Sequence, residues 1–176
     1  MGFRFPLNSP YKLSGAFDTA YDESKDMDYE LVEVAGDNEW RDYHAIRREV
    51  LWEARGRTGY NDKHSDDYVS ANRPLLLKLD GRAIGTTRLD DLGNGTGAVR
   101  LVAISADLQR RGHGQKLAEL VEAYARNRGM ARLFVNAAPE AVGYYEKLGW
   151  QRFSWDETEL SGIASGAVQM TKNLVK

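Results

Sequence analysis

Two glycines and two arginines stand close together at the start of a predicted helix. Residues 109–115 read QRRGHGQ and follow an apolar segment that predicts a β-strand. The first four N–H groups of a helix have no partner within it, and the helix dipole adds positive charge at the same end. Gly112 and Gly114 would let a ligand approach these groups closely, and Arg110 and Arg111 add cationic donors. The pattern predicts a binding site for a phosphate or pyrophosphate.

The residues that follow the glycines separate the possible phosphate ligands. A Walker loop requires Lys and then Ser or Thr directly after its second glycine, whereas this chain has Gln115 and Lys116 there. A dinucleotide-binding fingerprint requires a small residue three positions after Gly114, where this chain has Leu117. Both mismatches count against a nucleotide-binding protein. A purely structural role of the two glycines, in a tight turn between strand and helix, stays open on this stretch alone.

A second motif follows downstream, where residues 134–150 read FVNAAPEAVGYYEKLGW. Together, the stretch QRRGHG at 109–114 and the stretch ending in YYEKLGW resemble two consecutive motifs of the GNAT-type N-acetyltransferase superfamily. The resemblance is strong over 98–153 and loose over 29–97 and 154–172. It does not cover residues 1–27.

The resemblance implies an acyl-CoA cosubstrate, normally acetyl-CoA, and no metal. The pyrophosphate would bind main-chain groups at the start of the helix, and the pantetheine arm would pair with the preceding strand like an added strand. An amide near Val102 could also stabilise the oxyanion that develops on the thioester carbonyl. The residues implied to bind the cofactor are Val102, Ala103, Ile104, Gln109, Arg110, Arg111, Gly112, His113, Gly114, Gln115 and Asn136.

Tyr145 is the catalytic residue that the resemblance implies, because it directly precedes the Glu-Lys-Leu-Gly of the second motif. A phenol is neutral at pH 7 and can donate a hydrogen bond to the departing CoA thiolate as a general acid. The alternative is a core aromatic, because Tyr145 shares a helix face with Ala141 and Leu148. The sequence does not identify a general base, and Glu53 and Asp90 are the first carboxylates to test.

Three further expectations concern side chains near the motifs. Asn136 either binds the cofactor or only precedes the helix that Pro139 begins. His113 is expected to contribute its backbone while its side chain points to solvent. The polar run at 55–67 predicts a solvated surface loop, and the resemblance implies that this region shapes acceptor specificity.

The elements that must position these residues alternate along the chain. Strands are predicted at 29–34, 75–80, 83–89, 98–104, 133–135, 150–155 and 167–170, and helices at 39–54, 112–128 and 139–149. Residues 91–97 predict a turn-rich connection. This order indicates the α/β (α+β) class. The resemblance implies a mixed, twisted sheet of about seven strands flanked by helices, with splayed central parallel strands.

Length and composition limit the remaining possibilities. The 176 residues suit one domain, so we expect a single GNAT-like domain over 28–176 and a flexible N-terminal arm over 1–27. The 24 Lys and Arg against 26 Asp and Glu give a formal charge of −2, which argues against a nucleic-acid partner. The chain has no cysteine, which excludes disulfides, thiolate zinc sites and a cysteinyl covalent intermediate.

The sequence therefore predicts an acetyl-CoA-dependent N-acetyltransferase. It would transfer the acetyl group directly to a primary amine of a small molecule or to an exposed amino group. A CoA-binding regulatory module without turnover is the alternative, and the intact Tyr145 argues against it. No stretch approaches the ~20 apolar residues of a membrane span and no signal sequence is evident, so we expect a cytoplasmic protein with no membrane partner. Relatives often dimerise, and a homodimer is an open expectation.

Overall fold

Seven strands form one mixed sheet in the computed structural model, which describes residues 27–174. The strands are β1 (Tyr29–Glu33), β2 (Asn72–Leu79), β3 (Arg82–Gly93), β4 (Thr96–Ile104), β5 (Arg132–Ala137), β6 (Gln151–Arg152) and β7 (Val168–Asn173). Their order in the sheet is β1-β2-β3-β4-β5-β7-β6, and all neighbours are antiparallel except the parallel pair β4 and β5. The predicted mixed sheet of about seven strands is confirmed. The predicted N-terminal arm lies outside the described residues, apart from Met27.

Three helices accompany the sheet. Helix α1 is Asp37–Arg47, and the chain continues through a π-helical turn at Arg48–Trp52 and a 3₁₀ turn at Glu53–Arg55. Helix α2 is His113–Asn127, and α3 is Val142–Lys147. None of the helices in this part of the chain has the length and apolar character needed to cross a membrane.

Alternation along β2 shows which helix lies on which face. Leu76 packs in a cluster with Tyr43 of α1, whereas Leu75 and Leu77 pack in the cluster that contains Val121 of α2. Successive strand residues point to opposite faces of a sheet. Helix α1 therefore covers one face, and α2 covers the other together with α3, which belongs to the same cluster as α2.

The connection between β3 and β4 is shorter than predicted. The turn-rich connection expected at 91–97 is wrong, because β3 runs on to Gly93 and β4 begins at Thr96. Asn94 and Gly95 alone form the turn, and both have positive φ, of 52° and 71°. An Asn-Gly pair favours this conformation in two-residue hairpins, because both central residues of such a turn need positive φ.

The strand predicted at 150–155 is also shorter in the structure, where β6 spans only Gln151–Arg152. The amides of Trp155 and Asp156 donate to the side-chain oxygen of Gln169, at 2.9 and 3.0 Å, instead of continuing the ladder. The Gln169 side chain on β7 thus ends the pairing between β6 and β7, which the residue types at 150–155 alone would predict to continue.

Strand β4 changes its neighbours along its length. Thr96–Val99 pair in parallel with Arg132–Val135 of β5, but the rest of β4 pairs only with β3 among the described strands. Three steps along β4, from Arg100 to Ala103, lie opposite two steps along β3, from Arg88 to Thr86. Leu101 within this bulge has a φ of 54°. A bulge bends its strand, so the second half of β4 separates from β5. The predicted splay of the central parallel strands is confirmed.

Candidate active site

A cavity of about 830 Å³ opens where β4 and β5 separate. One wall, which we call the motif side, consists of residues of β4 and β5, the turn after β5 and α3, namely 99, 101, 102, 135–141 and 145. The opposite wall, which we call the loop side, consists of lining residues at 47–66 and 159–167 together with the side chains of Arg88, Asp90 and Arg100. The cavity thus joins β4 and the second motif to the loop that was expected to shape acceptor specificity. Residues 109–115 of the first motif do not line it, and we count the start of α2 that carries them with the motif side because it follows β4 along the chain.

Tyr145 lines the cavity on the motif side. Its ring belongs to the core and packs edge-to-face on Tyr144 and Trp150, with centroids 5.2 and 5.5 Å away. Its hydroxyl has no hydrogen-bond partner in the described part of the chain. Burial, with a smaller contribution from Tyr144, raises the pKa of Tyr145 above its usual value of 10. The phenol is therefore protonated at neutral pH and can donate its proton to a group in the cavity.

The start of α2 has the geometry expected of an anion-binding site. Gly112 directly precedes the helix with a φ of +85°, a conformation that a side chain would disfavour. The first helical bond runs from the amide of Lys116 to the carbonyl of Gly112, so the three preceding amides have no acceptor within the helix. A Cβ on Gly114 would lie 3.3 Å from the hydroxyl of Tyr144, so the glycine also permits the close approach of α3.

The side chains around this helix start divide into free and anchored groups. Arg110 and Arg111 are exposed, whereas Gln115 donates to Glu119 one turn further along α2. Gln109 donates to the carbonyl of Ile104 at 2.9 Å and so attaches the loop to the end of β4. The loop therefore offers its backbone and its arginines to a ligand, while Gln109 holds its shape.

The expectation that the His113 side chain points to solvent is wrong. The side chain is only 5% exposed, and its Nδ1 lies 2.7 Å from the hydroxyl of Tyr29. The reason is that the first turn of α2 packs against β1, which supplies this tyrosine. His113 therefore anchors the start of α2 through its side chain, which leaves only its backbone available to a ligand.

The strand residues implied to bind the cofactor lie on the separated half of β4. Ala103 and Ile104 pair with Thr86 and Gly85 of β3, and no described strand pairs with them on the β5 side. Val102 lines the cavity. An extended ligand could therefore bond to peptide groups of this segment from the open side.

The side chain of Asn136 has protein partners at both ends of its amide. Its nitrogen donates to Glu159 at 3.0 Å, and its oxygen accepts from Gln169 at 2.9 Å. It thereby holds the segment around Glu159 against the end of β5. Direct binding of a cofactor by Asn136 stays a prediction.

Six charged side chains of alternating sign form one hydrogen-bonded chain along the loop side: Arg47, Asp67, Arg88, Asp90, Arg100 and Glu159. Arg47 donates to both oxygens of Asp67, at 2.8 and 3.0 Å, and Arg88 donates to Asp90 at 2.7 and 3.0 Å. Arg100 connects Asp90 to Glu159. Most of these groups are buried, where a charge needs a partner. We call these six residues the ion network.

The two carboxylates proposed for testing as general base differ in position. Asp90 lines the cavity, but its oxygens accept three hydrogen bonds from Arg88 and Arg100, which occupy three of the about four lone-pair sites of a carboxylate. Glu53 is exposed and does not line the cavity. Neither position favours proton abstraction.

A second polar pair lies at the rim of the loop side. The hydroxyl of Tyr60, which lines the cavity, is 2.6 Å from Nδ1 of His44. Burial lowers the pKa of His44 below 6.5, so the ring is neutral at pH 7. Burial raises the pKa of Tyr60 to about 12. Trp52 packs edge-to-face on Tyr60 at 4.8 Å and completes an aromatic corner.

The ion network was missed by the sequence analysis, although part of it had a signal. Arg88 and Asp90 stand two residues apart in a β-prone segment, and this spacing places them on the same face of a strand. Two opposite charges on one face of a central strand indicate a buried ion pair. Asp67 lies within a 3₁₀ turn and Glu159 is the last residue of another, both in polar loops. No pattern in the sequence distinguishes these two carboxylates from surface charges.

Comparisons with known proteins agree with this geometry. The model of the Acetyltransferase (GNAT) family matches residues 32–150. A candidate acetyltransferase of Bacillus subtilis (strain 168) is 30% identical over 128 residues, which cover 72% of this chain and 84% of that protein. The crystal structure of a candidate N-acetyltransferase from Lactobacillus plantarum has a TM-score of 0.68 and 21% identity, covering 84% of this chain and 99% of the other. N-acetylglutamate synthase from Neisseria gonorrhoeae, complexed with coenzyme A and N-acetyl-glutamate, has a TM-score of 0.66 and 19% identity, covering 84% and 35%.

Proposed function

The chain belongs to the GNAT acetyltransferase family, whose members are acyl-CoA-dependent transferases, and from this premise we propose that it transfers an acetyl group from acetyl-CoA directly to a primary amine. The acceptor would be a small molecule or an exposed amino group. In this proposal the cosubstrate binds between β4 and β5, and the acceptor binds against the loop side of the cavity.

The separation of β4 from β5 is the observation that supports this proposal most strongly. It leaves peptide groups of Arg100–Ile104 open to an extended, amide-bearing ligand, and Val102 of β4 lines a small pocket together with Gly114 of α2 and Tyr145. A pyrophosphate on the amides around Gly112 would extend its pantetheine arm along β4. The three features thus fit one long ligand with an anion at one end and a reactive group at the other.

The residues of the motif side suit a direct transfer. As the amine attacks the thioester carbonyl, the peptide N–H near Val102 stabilises the developing oxyanion. The N–C bond forms, the tetrahedral intermediate collapses and the C–S bond breaks. Tyr145 donates its proton to the sulfur, so that CoA leaves as the thiol. The proton released by the amine passes to water or to a base in the cavity, and Tyr145 regains its proton from solvent.

Two measurements on the purified chain test the proposal. Calorimetric titration with CoA should give saturable binding, and acetyl-CoA should release free thiol in the presence of at least one member of a panel of amines, amino acids and peptides. The chain has no cysteine, so all thiol detected comes from CoA. Absence of CoA binding would refute the proposal. CoA binding without thiol release over the whole panel would favour the regulatory module instead.

A further inference from the structure

The interior carboxylates of the cavity already have guanidinium partners. Asp90 accepts from Arg88 and Arg100, and Glu159 accepts from Arg100. The remaining lining carboxylates, Asp66 and Glu140, have side chains 51% and 66% exposed and lie at the rim. A second cationic group on an acceptor would therefore find no free carboxylate in the interior.

Arg57 is different, because its positive charge has no carboxylate partner in the described part of the chain. It lines the cavity, is partly buried, and donates through Nη1 to the carbonyl of Leu51 at 2.9 Å. Its other N–H groups make no hydrogen bond to described residues. By contrast, Arg55 pairs with Glu140 at 3.3 Å. A guanidinium binds a carboxylate through charge-assisted hydrogen bonds, and two of its N–H groups can bind both oxygens.

The hydrogen bond to Leu51 fixes the position of this guanidinium. Leu51 is in the π-helical turn that extends α1, next to Trp52. Trp52 and Tyr60, packed edge-to-face, present aromatic surface to the same cavity. The loop side therefore combines one available cation with an apolar wall.

We propose that the acceptor is an amine that also has a carboxylate and an apolar or aromatic body, as in an apolar α-amino acid, and that Arg57 binds this carboxylate. The inference rests on the proposed acetyl transfer. The carboxylate would lie at Arg57 and the body against Trp52 and Tyr60, while the amine faces the motif side and Tyr145. The positive charge of Arg57, unpaired within residues 27–174, would repel polycationic acceptors such as polyamines.

Matched acceptors test the inference. Acetyl transfer to L-phenylalanine, L-phenylalaninamide, phenethylamine and spermidine is measured as kcat/KM, corrected for the fraction of neutral amine. We expect kcat/KM for L-phenylalanine to be at least about tenfold higher than for L-phenylalaninamide and phenethylamine, which lack the carboxylate. The reason is that a hydrogen bond to a charged group is worth about 1.5–3 kcal/mol. Equal values for the three phenyl compounds, or a preference for spermidine, would overturn the inference.

Substitutions assign the effect to Arg57. Arg57→Gln removes the charge and keeps an amide donor, and it should lower the ratio of kcat/KM for L-phenylalanine to kcat/KM for phenethylamine about tenfold or more. Arg57→Lys should restore part of the preference. Arg41→Gln is the matched control, because Arg41 is exposed on α1, does not line the cavity and lies 3.9 Å from Asp42. If the preference survives in Arg57→Gln, Arg57 does not bind the carboxylate.

A binding measurement separates this inference from the proposed function. The same four amines are titrated calorimetrically into the protein with and without saturating CoA. If CoA binds but no thiol is released, tighter binding of L-phenylalanine than of phenethylamine still supports the carboxylate site, and equal binding refutes it. If CoA does not bind, the acetyltransferase proposal fails, and the titration without CoA decides the carboxylate site by the same comparison.

Discussion

The motif side and the loop side of the cavity are built from different chemical groups. The motif side offers main-chain amides of β4, glycine geometry at the start of α2 and one tyrosine. The loop side offers charged and aromatic side chains drawn from α1, β3, β4 and two polar loops. Main-chain groups are positioned by the fold itself, whereas the six side chains of the ion network must position one another.

This difference predicts which property each side controls. Removing one member of the ion network leaves a buried charge without a partner, so the cost falls on the stability of the fold. Altering the motif side changes groups that we propose to contact the cosubstrate, so the cost falls on binding or rate. Four predictions, from the largest expected effect to the smallest, test this separation.

Asp67→Asn should cause the largest change. It removes the negative charge between Arg47 and Arg88, and loss of one partner of a buried ion pair costs about 3–5 kcal/mol of stability. Urea unfolding measures the loss. Asp62→Asn is the control, because the Asp62 side chain is 53% exposed and lies 3.7 Å from Arg48, and it should change stability by less than about 0.5 kcal/mol. Equal losses in both variants would remove the distinction between buried and surface pairs.

Tyr145→Phe should lower kcat by about 10²-fold or more, the contribution expected of a general acid, and leave the affinity for CoA nearly unchanged. The ring that packs on Trp150 is retained, so stability should change little. Because burial raises the pKa of Tyr145 above 10, the wild-type rate at pH 10 should stay above the half-maximal value that a phenol of pKa 10 would give.

Tyr144→Phe is the matched control for this substitution, since it removes the neighbouring phenol. Its kcat should stay close to that of the wild type. A loss of rate in Tyr144→Phe and not in Tyr145→Phe would show that the general acid has been assigned to the wrong tyrosine.

Gly112→Ala should raise the Kd for CoA about tenfold. Left-handed backbone costs a residue with a side chain about 1–2 kcal/mol, so the loop would shift and its amides would point elsewhere. Calorimetry measures the change. Gly36→Ala is the control, because Gly36 has a φ of −82° and nothing within 4 Å of an added Cβ. An unchanged Kd in Gly112→Ala would mean that this backbone does not bind the cosubstrate.

His44→Gln should produce the smallest effect, a change in how stability depends on pH. Burial lowers the pKa of His44, so the unfolded chain binds a proton at a higher pH than the folded protein does. The contribution of His44 to stability is present above pH 6.5 and is lost as the pH falls further. His44→Gln should make the urea midpoint depend less on pH below pH 6.5. An unaltered slope in His44→Gln would contradict this.

The same contrast explains what the sequence could predict. The motif side depends on residues that are close together in the chain, such as Gly112 and Gly114, so a short pattern indicates both the fold and the cosubstrate. The loop side depends on contacts between distant residues. Arg100 meets Glu159 and Arg47 meets Asp67 only because the tertiary fold brings them together.

Local packing accounts for the other differences. Nothing in the sequence near His113 indicates that the hydroxyl of Tyr29, 84 residues earlier, lies within hydrogen-bond distance of its ring. Likewise, Gln169 ends β6 through its side chain, which strand propensity does not predict. The hairpin turn at Asn94-Gly95, by contrast, had an adequate local signal within the segment expected to be turn-rich.

The separation of β4 from β5 also affects how the protein should be handled. From Arg100 to Ile104, β4 presents an open edge in the middle of the sheet rather than at its rim, and such edges can recruit strands from other molecules. The bulge at Leu101 and the charge of Arg100 limit this hazard without removing it. Aggregation during storage or heating should therefore slow when CoA is added, and light scattering of paired samples would measure the protection.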